Sequence, residues 1–296
     1  MTDRNAILII GPTASGKSKT ALKIADKINS VIINTDSLQV YKDLNILTSR
    51  PTSSDEKLAQ HKLYGHTAGN IQYNVADWLR EVSVEIESAF INNLRPILIG
   101  GTGLYFKALE EGLADIPEIQ ENIIKNTNEL IDKLGLDYLF KELIKKAPNC
   151  KINSNDTSRI TRAYNVLIQT GKPIEEWWRD TKPSIQKVSY QKLLINPDRE
   201  KLYKKAENRF GQMLKDGAIE EVEQINTRNY GKDNTIMKAI GVREISDYIA
   251  GKVTLDEAAM LAKQKTRNYI KRQQTWINSN NNITWNSSYK KLMESL

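Results

Sequence analysis

Residues 6–25 of this 296-residue chain read AILIIGPTASGKSKTALKIA. Five apolar residues in a row suit a strand buried on both faces, and the apolar spacing after the loop suits a helix. Between them, Gly11 to Ser18 fits G-x-x-x-x-G-K-[ST]. A buried strand that runs through a glycine loop straight into a helix demands a sheet with helices laid against it. The glycines let backbone N–H groups turn inward, and the helix N-terminus adds partial positive charge. Gly11, Pro12, Thr13, Ala14, Ser15, Gly16, Lys17 and Ser18 are therefore the expected phosphate-binding loop. Lys17 would reach terminal phosphate oxygens and Ser18 would ligate Mg²⁺. The loop alone does not say whether it holds a nucleoside triphosphate or another diphosphate.

The rest of the chain extends the same architecture. SVIINTD is a second apolar run ending at Asp36, residues 75–91 have helical spacing, and RPILIGG is a third strand opening on GGTGLY. Strands alternating with helices imply parallel pairing. The expected fold is α/β, a P-loop NTPase-like core with a parallel sheet and helices on both faces. From Pro117 the apolar residues keep helical spacing with no strand-like run, so residues 116–187 are expected to be an all-helical insertion. The core is then 1–115 and 188–296. VSYQKLLINP (188–197) is strand-like, 198–228 and 254–277 are two long helical stretches, and the Asn/Ser-rich tail after Asn278 is expected to be only partly ordered.

Composition narrows the chemistry. The formal charge of +7 suits a polyanionic partner but does not require one. A single cysteine, Cys150, excludes an intrachain disulfide, and two histidines make multi-His metal sites and His-based catalysis poor readings. No stretch approaches the ~18 apolar residues of a membrane span, and the N-terminus does not resemble a signal peptide, so a cytoplasmic protein is expected.

P-loop NTPases usually end a neighbouring strand in an Asp that holds Mg²⁺, whereas PILIGG ends in Gly-Gly-Thr-Gly. The one carboxylate closing a core strand is Asp36, which could be a metal ligand, a substrate clamp, a general base or a turn residue. In the last helix Lys263, Arg267 and Lys271 recur every four residues, with Lys265 and Arg272 beside them and no acid between 263 and 272. Ala262, Thr266, Tyr269, Ile270 and Ile277 can face the core. Such a stripe suits RNA phosphates better than a mixed-charge solvated face would.

GPTASGKS, TDSLQVY, GGTGLYFKALEEGLADIP and TRNYIKRQQTW, in that order and spacing, resemble the tRNA dimethylallyltransferases from about Ala6 to Trp276. DTSRITRAYNVLIQTGKP and AIGVREI match as well. The resemblance implies that the loop holds dimethylallyl diphosphate and that the allylic group passes to N6 of adenosine 37 in the tRNA anticodon stem-loop. It makes Asp36 the base and places Thr102 at the reacting centre. Lys238 and Arg243 become further cations on the diphosphate. It assigns Asp36, Ser37, Leu38, Gln39 and Thr102 to the flipped adenosine. Ser158, Arg159, Ile160, Thr161 and Arg162 of the insertion, together with the basic residues of the last helix, would contact tRNA.

The chain departs from the family pattern at Leu47, where glycine is usual, at Lys62, where a second histidine is frequent, and at Val242, where tyrosine is usual. At a commonly basic insertion position it carries Ile124, with Lys125 adjacent. A monomer is expected. The rival readings are a cytokinin-type enzyme acting on free adenine nucleotides, a small-molecule kinase, and a non-catalytic RNA-binding module.

Overall fold

The computed structural model describes residues 4–185, 187–231, 233–280 and 289–294. In chain order it runs β1 Asn5–Ile10, α1 Lys17–Ala25, β2 Ser30–Asn34, α2 Ser53–Leu58, β3 Gln60–Lys62, α3 Val75–Ile91, β4 Arg95–Gly100 and α4 Gly103–Glu111. Four helices follow: α5 Glu121–Leu134, α6 Leu136–Lys146, α7 Thr157–Thr170 and α8 Ile174–Arg179. The chain then continues through β5 Ser189–Leu194, α9 Arg199–Lys215, α10 Ala218–Thr227, α11 Val242–Ile249, α12 Leu255–Ser279 and α13 Tyr289–Glu294. Among the described residues no helix is long and apolar enough to cross a membrane.

The five strands form one sheet in the order β3-β2-β4-β1-β5, parallel throughout. Alternation along the strands divides the apolar residues between two faces. Ile7, Ile9, Ile32, Ile97, Ile99 and Leu193 meet Ala21 and Ile24 of α1 and Leu292 of α13. On the other face α3 packs on β2 and β4 and buries Trp78, Val82 and Ile86 completely. Because the strands are parallel, β1, β2 and β4 all deliver their carboxyl ends to one edge, where open α/β sheets bind ligands. The phosphate loop, Asp36 and Thr102 all follow those ends.

Trp78 links this core to the site. Its indole Nε1 donates to the Asn34 carbonyl at 2.8 Å, and its ring stacks on Tyr105 with centroids 4.5 Å apart. Trp78→Ala is expected to cost about 3–5 kcal/mol in a urea unfolding titration, from lost packing and an orphaned carbonyl. Trp78→Phe should recover most of it.

The chain divides into two compact units, residues 1–109 with 185–296, and Glu110–Ser184. The second comprises α5–α8 around its own core of Leu139, Leu143, Ile160, Ala163, Val166 and Ile174. Its bounds fall a few residues before the 116 and 187 read from sequence. One further reading needs correction. The stretch 198–228 is two helices, because Gly217 takes φ 104°, a left-handed conformation that ends α9 and starts α10. Of the tail, residues 281–288 lie outside the described residues, but 289–294 form α13. Leu292 and Met293 anchor it on the sheet, and Leu292 is fully buried.

Candidate active site

The phosphate loop leaves β1 at Ile10 and enters α1 at Lys17. Gly16, the N-cap, has φ 95°, which a side chain would strain, and this conformation opens the start of α1 toward the loop. The Lys17 ammonium donates to the carbonyls of Gly11 at 2.8 Å and Pro12 at 2.7 Å. Burial lowers its pKa to about 7; the charge of Asp36 opposes this and that of Arg209 adds to it.

Asp36 stands just past β2, and Asn34 fixes its backbone on both sides. Asn34 Oδ1 accepts from Asp36 N at 2.8 Å, and Asn34 Nδ2 donates to Asp36 O at 2.9 Å and Leu63 O at 3.0 Å. Asp36 Oδ1 accepts from Leu38 N at 2.9 Å, so the carboxylate closes a turn as well as facing the site. After β4, a Cβ at Gly101 would overlap the amide of Gln273 from α12. That amide uses both ends: its Oε1 accepts from Thr13 N and its Nε2 donates to Gly101 O, each at 2.9 Å. Gln273 thus ties the phosphate loop to the Gly-Gly-Thr loop. Burial and the charge of Asp36 raise the Tyr269 pKa strongly, and the nearby Thr102 hydroxyl works against them.

Two cavities meet at Asp36. One, of about 300 Å³, is lined by the phosphate loop and by Lys17, Lys19, Lys205 and Arg209. The other, of about 90 Å³, is walled mainly by apolar groups, among them Leu38, Leu47, Phe210, Met213 and Ile240. Thr13, Asp36, Thr48 and Arg209 line both. A strip of cations therefore opens onto an apolar recess, with a carboxylate at the junction. Thr102 lines neither cavity; it lies near Tyr269, which faces the apolar one, and its hydroxyl is buried with no hydrogen-bond partner among the described residues.

Other sequence candidates are placed differently. Gln39 borders the phosphate cavity, but its Nε2 already donates to Thr48 O at 2.7 Å and Ser49 O at 3.1 Å. Ser37 is partly exposed next to Asp36. Lys238 and Arg243 do not line the phosphate-loop cavity. They border a third cavity of about 500 Å³ together with Lys252, Lys265, Glu244 and Asp247.

In α12, Ala262, Ile270 and Ile277 are buried as the spacing requires. The stripe is less bare than the sequence indicates, since other helices supply acids: Arg267 pairs with Glu207 of α9 and Lys265 with buried Glu244 of α11. Lys263, Lys271 and Arg272 make no ion pair among the described residues. In the second unit Ser158, Arg159 and Arg162 are exposed, Thr161 is partly so, and Ile124 is 40% exposed on α5. Ile160 is fully buried in that unit's core, so its side chain is packing and not a contact.

Arg209, Lys205 and Gln273 escaped the sequence reading. Arg209 donates to Thr13 Oγ1, and burial lowers its pKa while the charge of Asp36 opposes that. Lys205 and Arg209 share a helix face at i and i+4, but a basic pair in a Lys-rich helix looks like solvated surface. Gln273 left a clearer trace. It falls on the Ile270–Ile277 stripe, where a polar residue must find buried partners.

Comparison with known proteins bears on this geometry. A family model described as IPP transferase matches residues 39–280, and one described as isopentenyl transferase matches residues 4–68. The chain is 41% identical over 280 residues to the tRNA dimethylallyltransferase of Bradyrhizobium sp. (strain ORS 278), covering 94% of this chain and 91% of that protein. Among solved structures it resembles the full-length tRNA isopentenylpyrophosphate transferase of Bacillus halodurans, with TM-score 0.70 and 29% identity over 98% of this chain and 94% of that one. It also resembles a eukaryotic dimethylallyltransferase acting on tRNA, with TM-score 0.80 and 26% identity over 93% of this chain and 70% of that one. With a family model over most of its length and a near-full-length relative at 41% identity, this chain belongs to the IPP transferase family, the family of the tRNA dimethylallyltransferases.

Proposed function

We propose that this chain transfers a dimethylallyl group from dimethylallyl diphosphate to N6 of adenosine 37 in the anticodon loop of tRNA, releasing diphosphate. The observation that carries this reading is the position of Asp36 on both the cationic and the apolar cavity. A diphosphate on the loop would point its allylic carbon toward that junction, and an exocyclic amine arriving there would meet a carboxylate.

An adenine N6 is a weak nucleophile because its lone pair is conjugated with the ring. As N6 bonds to the allylic carbon, the carbon–oxygen bond breaks and its electron pair leaves on the diphosphate. The N6 proton goes to the Asp36 carboxylate. Lys17, Arg209, Lys205 and the loop amides are placed to stabilise the charge that gathers on the leaving group. The site suits Mg²⁺. Ser18 lines the cavity, and Ser15 Oγ is buried there with no partner among the described residues. Among the described residues no cluster of three His, Cys, Asp or Glu could hold a metal by itself, so diphosphate and water would complete the shell. The ion would neutralise charge on the departing diphosphate.

Reaching the junction requires the adenosine to leave the loop stack, on the order of a few kcal/mol for a single-stranded base. Partly exposed Lys263, exposed Lys271 and Arg272, the cavity bearing Lys238 and Arg243, and Arg159 of the second unit are basic groups suited to RNA phosphates.

The test is incubation with unmodified tRNA, dimethylallyl diphosphate and Mg²⁺, followed by digestion to nucleosides and mass spectrometry. A C5H8 gain on adenosine is expected. Transfer to free AMP but not to tRNA would favour the cytokinin-type reading, and ATP turnover without any transfer would favour a kinase.

A further inference from the structure

The segment between β2 and α2 carries Leu38, Leu47 and Thr48 to the walls of the two cavities, yet residues 45–50 lie in no helix or strand. Within it Ser49 N donates to Ile46 O at 3.0 Å and Arg50 N to Asn45 O at 3.1 Å, but among the described residues the amides of residues 45–47 find no partner inside the loop and need one from outside. Glu221, in the first turn of α10, supplies it. Its Oε1 accepts from Asn45 N at 2.6 Å and Ile46 N at 2.8 Å, and its Oε2 accepts from Leu47 N at 3.0 Å. Three consecutive amides converging on one partly buried carboxylate form a charge-assisted clamp far stronger than one neutral hydrogen bond.

A second tie lies nearby. Asp43, whose side chain is 6% exposed, accepts from Gly69 N at 3.0 Å and from the Tyr230 hydroxyl at 3.0 Å, and pairs with Arg228 at 3.2 Å. Asp43 secures the loop where it starts, and Glu221 takes the three amides of the turn that follows. Downstream of the clamp, Thr48 O and Ser49 O hold the Gln39 side chain, and Leu47 packs against Gly241 before α11.

We propose that Glu221 is a positioning residue for the transfer reaction: by clamping the amides of residues 45–47, its carboxylate fixes Leu47 and Thr48 as the cavity wall beside Asp36. This rests on the prenyl-transfer reading of that site. Glu221 lines neither cavity and touches neither the phosphate loop nor Asp36, so its influence passes through the loop backbone. A wall displaced by about 1 Å spoils the approach of the amine, which can cost up to about 10²-fold in rate, while leaving the diphosphate cradle intact.

The experiment compares wild type, Glu221→Gln and Glu221→Ala in full-length protein, below the unfolding temperature of each. Gln keeps one acceptor oxygen but sets an NH2 against the third amide, so it should fall between the other two. Amide hydrogen exchange at residues 45–47 should speed up in the order wild type, Gln, Ala, with β1 and β4 amides unchanged. Over the same order kcat for tRNA prenylation should fall, on the order of tenfold or more for Ala, while the Kd for inorganic diphosphate stays within about twofold. Faster exchange at 45–47 with unchanged kcat would overturn the proposal, as would exchange at 45–47 that does not respond. If wild type itself transfers no prenyl group, the functional reading falls instead, and the exchange data decide the clamp by themselves.

Discussion

Asp36→Asn is expected to lower kcat for prenyl transfer by roughly 10²–10⁴-fold, the range that a positioned general base contributes. The substitution is nearly isosteric. An asparagine oxygen can still accept from Leu38 N, and Asn34 holds the backbone of residue 36 whatever its side chain. Turn and fold should survive, which unchanged far-UV circular dichroism and urea midpoint would confirm. Binding of inorganic diphosphate should hold or tighten slightly, because removing the carboxylate takes a negative charge from the cavity that Lys17, Lys205 and Arg209 line. The informative quantity is single-turnover rate at saturating donor and tRNA, which separates chemistry from binding. A loss below roughly tenfold would remove Asp36 from the base role and leave it as a turn residue, the duty its bond to Leu38 already performs.

How much of this was legible in the sequence depended on whether a function was local in the chain. Strand, phosphate loop and helix follow one another between Asn5 and Ala25, so pattern alone defines them. Apolar periodicity alone marks the 17 residues of α3, and the structure adds an Asn74 capping box at its start. Position alone singles out Asp36 as a strand-end carboxylate, and only the family resemblance makes it the base, since sequence does not show which cavities a side chain joins. Contacts made across the chain left little trace. Gln273 meets Thr13 across 260 positions and Glu221 meets Ile46 across 175. Nothing in GAIEEVEQI says which of three glutamates leaves the solvent. The basic stripe of α12 failed in the opposite way: along its own helix it lacked acids, and tertiary structure supplied Glu207 and Glu244. Local patterns gave elements and the loop chemistry, whereas partners brought in by folding fixed the geometry.

Lys17→Met should produce the other large effect, a loss of about 10²–10³-fold in kcat/KM for dimethylallyl diphosphate, because it removes a charge aimed at the leaving group and keeps the side chain's bulk. Wild type should also carry a pH signature that the variant lacks. In the free protein burial holds the Lys17 pKa at about 7, so above that pH the amine is largely neutral. A bound diphosphate favours the ammonium and raises its pKa, so binding above pH 7 must take up a proton. The sign follows: the lysine's contribution to affinity is flat below about pH 7 and weakens as pH rises, by up to about tenfold per unit, until the pKa of the complex is reached. Diphosphate itself sheds a proton in this range, but equally with either protein, so the difference between wild type and Lys17→Met isolates the lysine. Calorimetry of inorganic diphosphate binding at pH 8, in two buffers of different ionisation enthalpy, should show proton uptake in wild type beyond that of the variant. Equal uptake in the two would mean that Lys17 keeps its charge in the free loop, held there by the Gly11 and Pro12 carbonyls.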